Sequence, residues 1–454
     1  MSIHDILSAQ HAYFASGATL PLSARKAALS ALLQEVDRRE KDLISALSAD
    51  LGKSAFESYM TEVGLAKEEL RFHLKHLGRW ARDRKVSTPL THFPARSIIR
   101  REPYGVALIL SPWNYPLQLA LEPLTGALSA GNCAILKPSA YAPSCSQILH
   151  ELVSAALPSE LAAVVQGGRE ENQALLEEHF DYIFFTGGVE VGRLVMEKAA
   201  RHLTPVTLEL GGKSPCIVDS TADIKLAARR IAFGKLLNAG QTCVAPDYIL
   251  VHRSVRTPLI QQLQAEFNTF LGPAPLENPD YPCIINDKHL TRLRTMLAGC
   301  QVLWGGTSQG RRIAPALVDG DVPSCPAMAE EIFGPVLPIL AWDTKEDVLR
   351  FVSSRPKPLA LYLFTRDKSM EETVLSRLSF GGGCVNDTIM HLATPHLPFG
   401  GAGGSGMGQY HGKESFDTFS RPKSILKKGA WPDLPVRYHP YTASKERLLR
   451  FLLK

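Results

Sequence analysis

Hydrophobic and polar positions change period several times along the chain. From about Ser23 to Lys85, Ala27, Leu29, Leu32, Leu33, Val36, Leu43, Ile44 and Leu47 recur at helical spacing among many charges, which predicts helix. RSIIRREPYGVALIL then reads as strand with a Pro-Tyr-Gly break. Helix and strand alternate through QLALEPLTGALSAG, NCAILKP, SCSQILHELVSAAL, AAVVQGG and DYIFFTGG. Short apolar strands between helical segments predict βαβ units and a parallel sheet, which binds ligands at the carboxyl ends of its strands. After Gly212 a second alternating stretch begins with SPCIVD and ends near GGGCVND, predicting a second α/β domain. Leu397 to His411 is glycine-rich and predicts irregular structure; WPDLPVRYHPY reads as an extended tail and SKERLLRFLLK as a short helix.

Composition narrows the class. At 454 residues the chain exceeds a single core and suits two or three domains. The net charge of +5 is a small excess on a large surface, and the basic residues Lys423, Lys427, Lys428, Arg447 and Arg450 read as a solvated face, which argues against nucleic acid. MSIHDILSAQ lacks the pattern of a secretory signal, and no apolar run approaches a membrane span. The eight cysteines are scattered, so neither a zinc knuckle nor a CxxC pair is expected, and a metal site is not predicted. Reduced thiols and a cytoplasmic location are the expectation.

Several segments carry candidate chemistry. No GxGxxG follows a strand, but Phe184 to Gly192 (FFTGGVEVG) is a strand entering a glycine turn before a helix. Its N–H groups suit a pyrophosphate, and a plain βα turn fits equally. TLELGGKS is not a phosphate-binding P-loop, because Thr207 stands where glycine is needed and Pro215 follows. Cys243 follows the Asn238-Ala239-Gly240 turn; a lone cysteine is ordinarily a small buried hydrophobe, but Gly240 admits close approach of a backbone or ligand. Glu209, flanked by leucines before two glycines, becomes a candidate general base if buried, or else is a capping or surface glutamate. Asn114, in SPWNYP, is either a turn asparagine or an amide donor to an oxyanion.

Six segments stand in an order that resembles the aldehyde dehydrogenase superfamily: SPWNYP, FTGG, LELGGKSP, NAGQTC, EEIFGP at 330–335, and PFGG through SGMG at 398–408. The likeness runs from about residue 20 to the end, and VAPDY, GMGQYHGKESFDTFS and RYHPYTASKERLLRFL resemble the class 3 branch of fatty and aromatic aldehyde dehydrogenases and bacterial relatives. The resemblance implies an α/β fold of two Rossmann-like, doubly wound domains plus a small β bridging element. It places an NAD(P)-binding domain at 1–81 and 103–208, a catalytic domain at 209–391, a bridging and oligomerisation element at 82–102 and 392–425, and a tail at 426–454. It implies NAD(P)-dependent oxidation of aldehydes to carboxylic acids. Cys243 would be the nucleophile that forms a hemithioacetal and then a thioester, Asn114 with the Cys243 N–H the oxyanion hole, and Glu209 the base that activates water. Lys137 would bond the adenosine ribose, and Thr186, Gly187, Gly188 and Gly192 would surround the pyrophosphate. Gly211 would let the cofactor pass, while Glu331 and Phe333 would position the nicotinamide and its ribose. Tyr115, Leu119, Ile389 and His391 would line a substrate tunnel, although His391 also fits a loop histidine without a catalytic role.

Two departures bear on the cofactor. Ala140 stands where many relatives carry a glutamate for the adenosine ribose, which favours acceptance of both NAD and NADP, and Gly188 replaces a serine. A homodimer and a medium-chain aliphatic or aromatic aldehyde are expected by resemblance, without the membrane anchor of some relatives, because the sequence stops at FLLK. A CoA-acylating enzyme, a semialdehyde-specific one and a non-catalytic structural member are the alternatives, and Glu209 argues for hydrolysis.

Overall fold

The computed structural model describes residues 2–322 and 325–453. Its first half is built on a six-stranded sheet. In spatial order the strands are Gly406–Met407, Val206–Leu210, Tyr182–Gly187, Val106–Leu110, Cys133–Lys137 and Ala162–Val164. All pair in parallel except the first. Val106–Leu110 and Cys133–Lys137 are buried at every residue, which explains why they read as continuous apolar runs rather than alternating ones. Successive side chains still serve opposite faces. Ala107, Ile109, Ala134 and Leu136 pack with helices Leu22–Arg38, Gly64–Trp80, Gln118–Ala130 and Pro143–Ala156. Val106, Leu108, Cys133 and Ile135 pack with helices Ile3–Ala15, Arg169–Glu177 and Val189–Ala200.

The second sheet has seven strands in the order Val302–Gly305, Ala316–Asp319, Val336–Trp342, Tyr248–His252, Pro215–Val218, Ala360–Phe364 and Gly382–Val385. Only Val302–Gly305 runs antiparallel. It too is covered on both faces: Cys216, Val218, Ile249 and Val251 belong to the same core as the first sheet, and Ile217, Leu250, Leu361 and Leu363 to a separate one. Two doubly wound α/β units thus share one continuous core.

Three expectations need correction. The predicted helix over 23–85 is broken after Arg38 and at Gly52, whose φ of +66° ends Glu40–Leu51, and it passes through a π-turn at Tyr59–Val63 before stopping at Trp80. The bridging element drawn from 82–102 and 392–425 divides differently. Its sheet is Arg84–Val86, Ala95–Pro103 and Ser420–Lys428, so it runs past residue 425 into the expected tail. Residues 406–407 instead pair with Leu208 and Glu209, and helix Lys413–Thr418 lies on Gln118–Ala130. Gly126 makes room there, since a Cβ at that position would meet Phe419 at 2.9 Å and Ser415 at 3.0 Å. Third, the chain starts with a helix, Ile3–Ala15, that precedes the one predicted. Among the described residues no helix is long and apolar enough to cross a membrane.

Candidate active site

The carboxyl ends of strands Val106–Leu110, Tyr182–Gly187 and Val206–Leu210 open on a cavity of about 680 Å³ whose opposite wall comes from the second unit. Asn114, Tyr115, Leu119, Thr186, Gly187, Gly188, Glu209, Gly211, Cys243, Glu331, Phe333 and Ile389 all line it. Lys137, Gly192 and His391 do not.

Cys243 reaches this cavity through an unusual turn. Helix Ile224–Leu236 ends, and Asn238, Ala239 and Gly240 follow with φ of 51°, 51° and 75°. Three left-handed residues in succession reverse the chain, at a cost that only close support can hold. Glu57 accepts from the Asn238 N–H at 2.7 Å. Asn238 Nδ2 donates to the carbonyls of Asn114 (2.7 Å) and Gln241 (3.2 Å). The Gln241 side chain donates to the carbonyls of Asn238 and Cys283, both at 3.0 Å, and accepts from the Ile285 N–H. The thiol is partly exposed to the cavity while Gln241, Thr242 and Val244 are buried. Burial, then the carboxylates of Glu331 and Glu209, push the thiol up to about 12, so the resting form is SH.

Glu209 is the penultimate residue of its strand and is 3% exposed. Neither carboxyl oxygen has a hydrogen-bond partner, and this desolvation raises its pKa well above the carboxylate range. Asn114 is held at both ends: its Nδ2 donates to the Gln241 carbonyl at 3.1 Å, which leaves one amide hydrogen unspent, and its carbonyl accepts from Asn238 and from Lys53. The Tyr115 hydroxyl meets Thr242 Oγ1 at 2.6 Å.

The cavity also has a wall suited to a dinucleotide. Gly188 caps helix Val189–Ala200 with no side-chain bond to the first-turn N–H groups, and a Cβ at Gly188 would meet nothing within 4 Å. Beside it Thr186 Oγ1 is buried and unpartnered. An uncapped helix start, an orphaned hydroxyl and open space fit a pyrophosphate. Across from it, Lys213 Nζ donates to the carbonyls of Ala327 (2.7 Å) and Glu330 (2.9 Å) and pairs with Asp247, pinning the segment that carries Glu331 and Phe333. Arg292 adds bonds to the Glu330 carboxylate and to the Glu331 carbonyl. Burial, then repulsion from Asp247, pushes Glu331 up to about 8.

Four of the expected site residues also have close neighbours within the protein. The space beside Gly211 is taken by Glu331, whose Oε2 lies 2.0 Å from where a Cβ would be, so this glycine makes room for a side chain of the protein itself. Gly192 is needed for packing: its Cβ would lie 2.6 Å from Leu210 Cδ2. Lys137 is 2% exposed and gives two of its three donors to the carbonyls of Pro138 (2.8 Å) and Gly167 (2.7 Å). His391 lies against Gly382 with Nδ1 3.6 Å from Cys384 Sγ, and burial drops its pKa to about 4, which keeps the ring neutral.

Sequence reasoning missed Lys53, Glu57, Glu62, Asn238, Gln241 and His411. Asn238 and Gln241 sit inside NAGQTC, where a cluster of amides before a cysteine was the available signal. Lys53, Glu57 and Glu62 belong to a distant helical region, and nothing local distinguishes them from its surface charges. His411 lines the cavity with Nε2 3.4 Å from Glu122 Oε2.

Comparison with known proteins agrees with this geometry. The aldehyde dehydrogenase family matches residues 2–425. The chain is 47% identical over 434 residues to 4,4'-diaponeurosporen-aldehyde dehydrogenase of Staphylococcus aureus, covering 95% of each chain. It is 45% identical over 449 residues to aldehyde dehydrogenase family 3 member B1 of Bos taurus, covering 98% of this chain and 96% of that one. A solved structure of the substrate-bound state of Staphylococcus aureus AldH superposes with a TM-score of 0.98 at 45% identity over all of both chains. NAD-dependent aldehyde dehydrogenase of Sinorhizobium meliloti gives 0.85 at 28% identity over 95% of this chain and 89% of that one. The chain therefore belongs to the aldehyde dehydrogenase family, enzymes that oxidise aldehydes with NAD or NADP, and is similar to its class 3 members.

Proposed function

We propose that this enzyme oxidises medium-chain aliphatic or aromatic aldehydes to carboxylic acids through a thioester on Cys243. The observation that carries the reading is the meeting of three groups in one cavity: a thiol, an amide with one free hydrogen, and a buried carboxyl with both oxygens unpartnered. The Cys243 thiol passes its proton to solvent water, and the sulfur attacks the carbonyl carbon. The carbonyl oxygen becomes an alkoxide held by the second Asn114 amide hydrogen and the Cys243 N–H. Thr186, Gly187 and Gly188 on one wall and Glu331 and Phe333 on the other would hold NAD(P), which would supply the acceptor for the hydride of the aldehyde carbon. The acyl group then remains on Cys243 as a thioester. The ionised form of Glu209, a stronger base for its raised pKa, takes a proton from water, the resulting hydroxide adds to the thioester carbonyl, and the sulfur departs as the carboxylic acid forms.

Leu119, Phe233, Leu237, Ile389 and Leu392 line the substrate side and favour an apolar chain over a charged semialdehyde. Association into a homodimer through the bridging sheet is part of the same reading: Ser420–Lys428 is an edge strand with Leu426 half exposed, and an open edge invites pairing. Size-exclusion chromatography with light scattering reads twice the chain mass if so, and one chain mass if not. A cytoplasmic location is the accompanying expectation.

The test is NAD(P)H formation with hexanal, benzaldehyde and succinic semialdehyde, for the native enzyme and Cys243→Ser. Reduction of cofactor by the first two, lost in the variant, is the expected result. A strong preference for the semialdehyde overturns the substrate class, and activity only with added CoA overturns hydrolysis by Glu209.

A further inference from the structure

Beneath the segment that carries Asn114 lies an ion pair that the chemistry above does not use. Lys53 Nζ and Glu62 Oε1 are 2.6 Å apart, and the two side chains are fully buried. Taking two charges out of water is costly, and a well-packed apolar pair generally serves stability as well or better. The bonds that these two groups make beyond each other indicate what they hold. Lys53 Nζ also donates to the Asn114 carbonyl at 3.3 Å. Glu62 Oε2 accepts from the backbone N–H of Leu117 at 2.8 Å and of Gln118 at 3.4 Å. The pair therefore grips the Asn114–Gln118 turn at both ends, its first carbonyl and its last two N–H groups.

Those N–H groups open helix Gln118–Ala130, whose own cap residue, Leu117, offers no side-chain bond. A helix start leaves N–H groups unsatisfied and attracts negative charge, and Glu62 meets both needs from another part of the chain. The π-turn Tyr59–Val63 contains Glu62, and such turns often mark functional positions. The Lys53 ammonium also lies 4.0 Å from the centre of the Tyr115 ring, so the side chain next to Asn114 rests on the same charge. On its far side Asn114 is fixed to the cysteine turn by the Asn238 and Gln241 bonds. Asn114 thus sits between a clamp below and the nucleophile's turn beside it, with one amide hydrogen left for the cavity.

We propose that Lys53 and Glu62 are positioning residues for aldehyde oxidation, a buried clamp that sets the aim of the Asn114 amide. The proposal rests on Asn114 being the oxyanion donor. Removing such a donor outright slows an enzyme on the order of 10²–10³-fold. Loosening it should cost less, about 10- to 100-fold, and only where Asn114 is present.

The experiment compares Lys53→Met/Glu62→Leu in the native background and in Asn114→Ala, with hexanal as substrate. The apolar pair fills the site without leaving a lone charge. The expected result is a kcat about 10- to 100-fold lower, a dissociation constant for NADH, read by fluorescence, within about threefold of native, and less than about threefold further loss of kcat when Asn114 is already alanine. Losses that multiply across the two backgrounds, or a native kcat in the paired variant, overturn the clamp. Should the paired variant not fold, Glu62→Gln, which keeps an oxygen for Leu117 and Gln118 and removes the charge, is read in the same two backgrounds by the same criterion. If Asn114→Ala alone costs nothing, the oxyanion assignment itself fails, which the first comparison reveals before the clamp is judged.

Discussion

Gly240→Ala puts the architecture around Cys243 under direct test. Gly240 has φ of 75°, where an alanine costs about 1–2 kcal/mol through its Cβ alone. The added carbon would lie 2.3 Å from the Gly334 carbonyl oxygen, inside the 3.0 Å limit that real contacts respect. Either the cysteine turn or the 331–334 segment must move by about 0.7 Å to clear it. Neither moves freely, because Asn238 and Gln241 tie down the first and Lys213 and Arg292 the second. The combined destabilisation is about 2–4 kcal/mol, within the range for backbone strain and overpacking, and corresponds to a fall in Tm of about 5–15 °C for domains of this size. The displacement also separates Cys243 from Glu331 and Phe333, and an error of about 1 Å in a reacting geometry costs about 100-fold. Differential scanning calorimetry and kcat/KM with hexanal measure both effects. Gly188→Ala is the contrast: its φ of −74° and the empty space beside it predict an unchanged or slightly higher Tm. A Gly240→Ala enzyme with native Tm and native rate would refute the packing argument.

Glu209→Gln should lower steady-state turnover by about 10²–10⁴-fold while leaving a burst of NAD(P)H, seen by stopped flow, as acyl-enzyme accumulates. It should also change the pH dependence of stability. The folded protein keeps a proton on Glu209 above the ordinary carboxylate range while the unfolded chain has lost it, so this group's contribution to stability falls as pH rises from about 4.5. The variant should therefore match the native Tm near pH 4 and exceed it at pH 9; a parallel pair of curves contradicts the burial argument. Glu331→Gln removes the larger of the two carboxylate influences on Cys243, and the pH midpoint for inactivation by iodoacetamide should move down; an unmoved or higher midpoint counts against it. Ala140→Glu should raise KM for NADP at least about tenfold with little change for NAD, and equal effects on both cofactors would remove the proposed reason for dual use.

What could be read from the chain, and what could not, follows from the range of the forces involved. Most strands of both sheets announced themselves because a parallel sheet covered on both faces demands unbroken apolar runs such as Val106–Leu110. Cys243, Glu209 and Asn114 were also legible, since each stands beside a glycine, proline or strand end that marks a special backbone, and the fold gathers all three at one cavity. The Lys53–Glu62 pair was not legible, because its partners lie more than fifty residues away at Asn114, Leu117 and Gln118. The neighbours of Lys137 and Gly192 were not legible either, because they are Gly167 and Leu210, contacts with no trace in local pattern. The two-residue strand Gly406–Met407 is too short to show any period, so its sheet could not be foreseen.

That short strand bears on how the enzyme is made. Gly406 and Met407 close the edge of the first sheet against Glu209 and Leu208. A ribosome therefore delivers Glu209 long before the backbone that covers it, with the whole seven-stranded unit synthesised in between. Until then the strand bearing Glu209 is an open edge, able to pair with another nascent chain. Phe399, Tyr410 and His411, which complete the cavity, emerge with the same late segment. The segment from Phe399 onward thus completes the cavity only after every other strand of the two α/β sheets has been made.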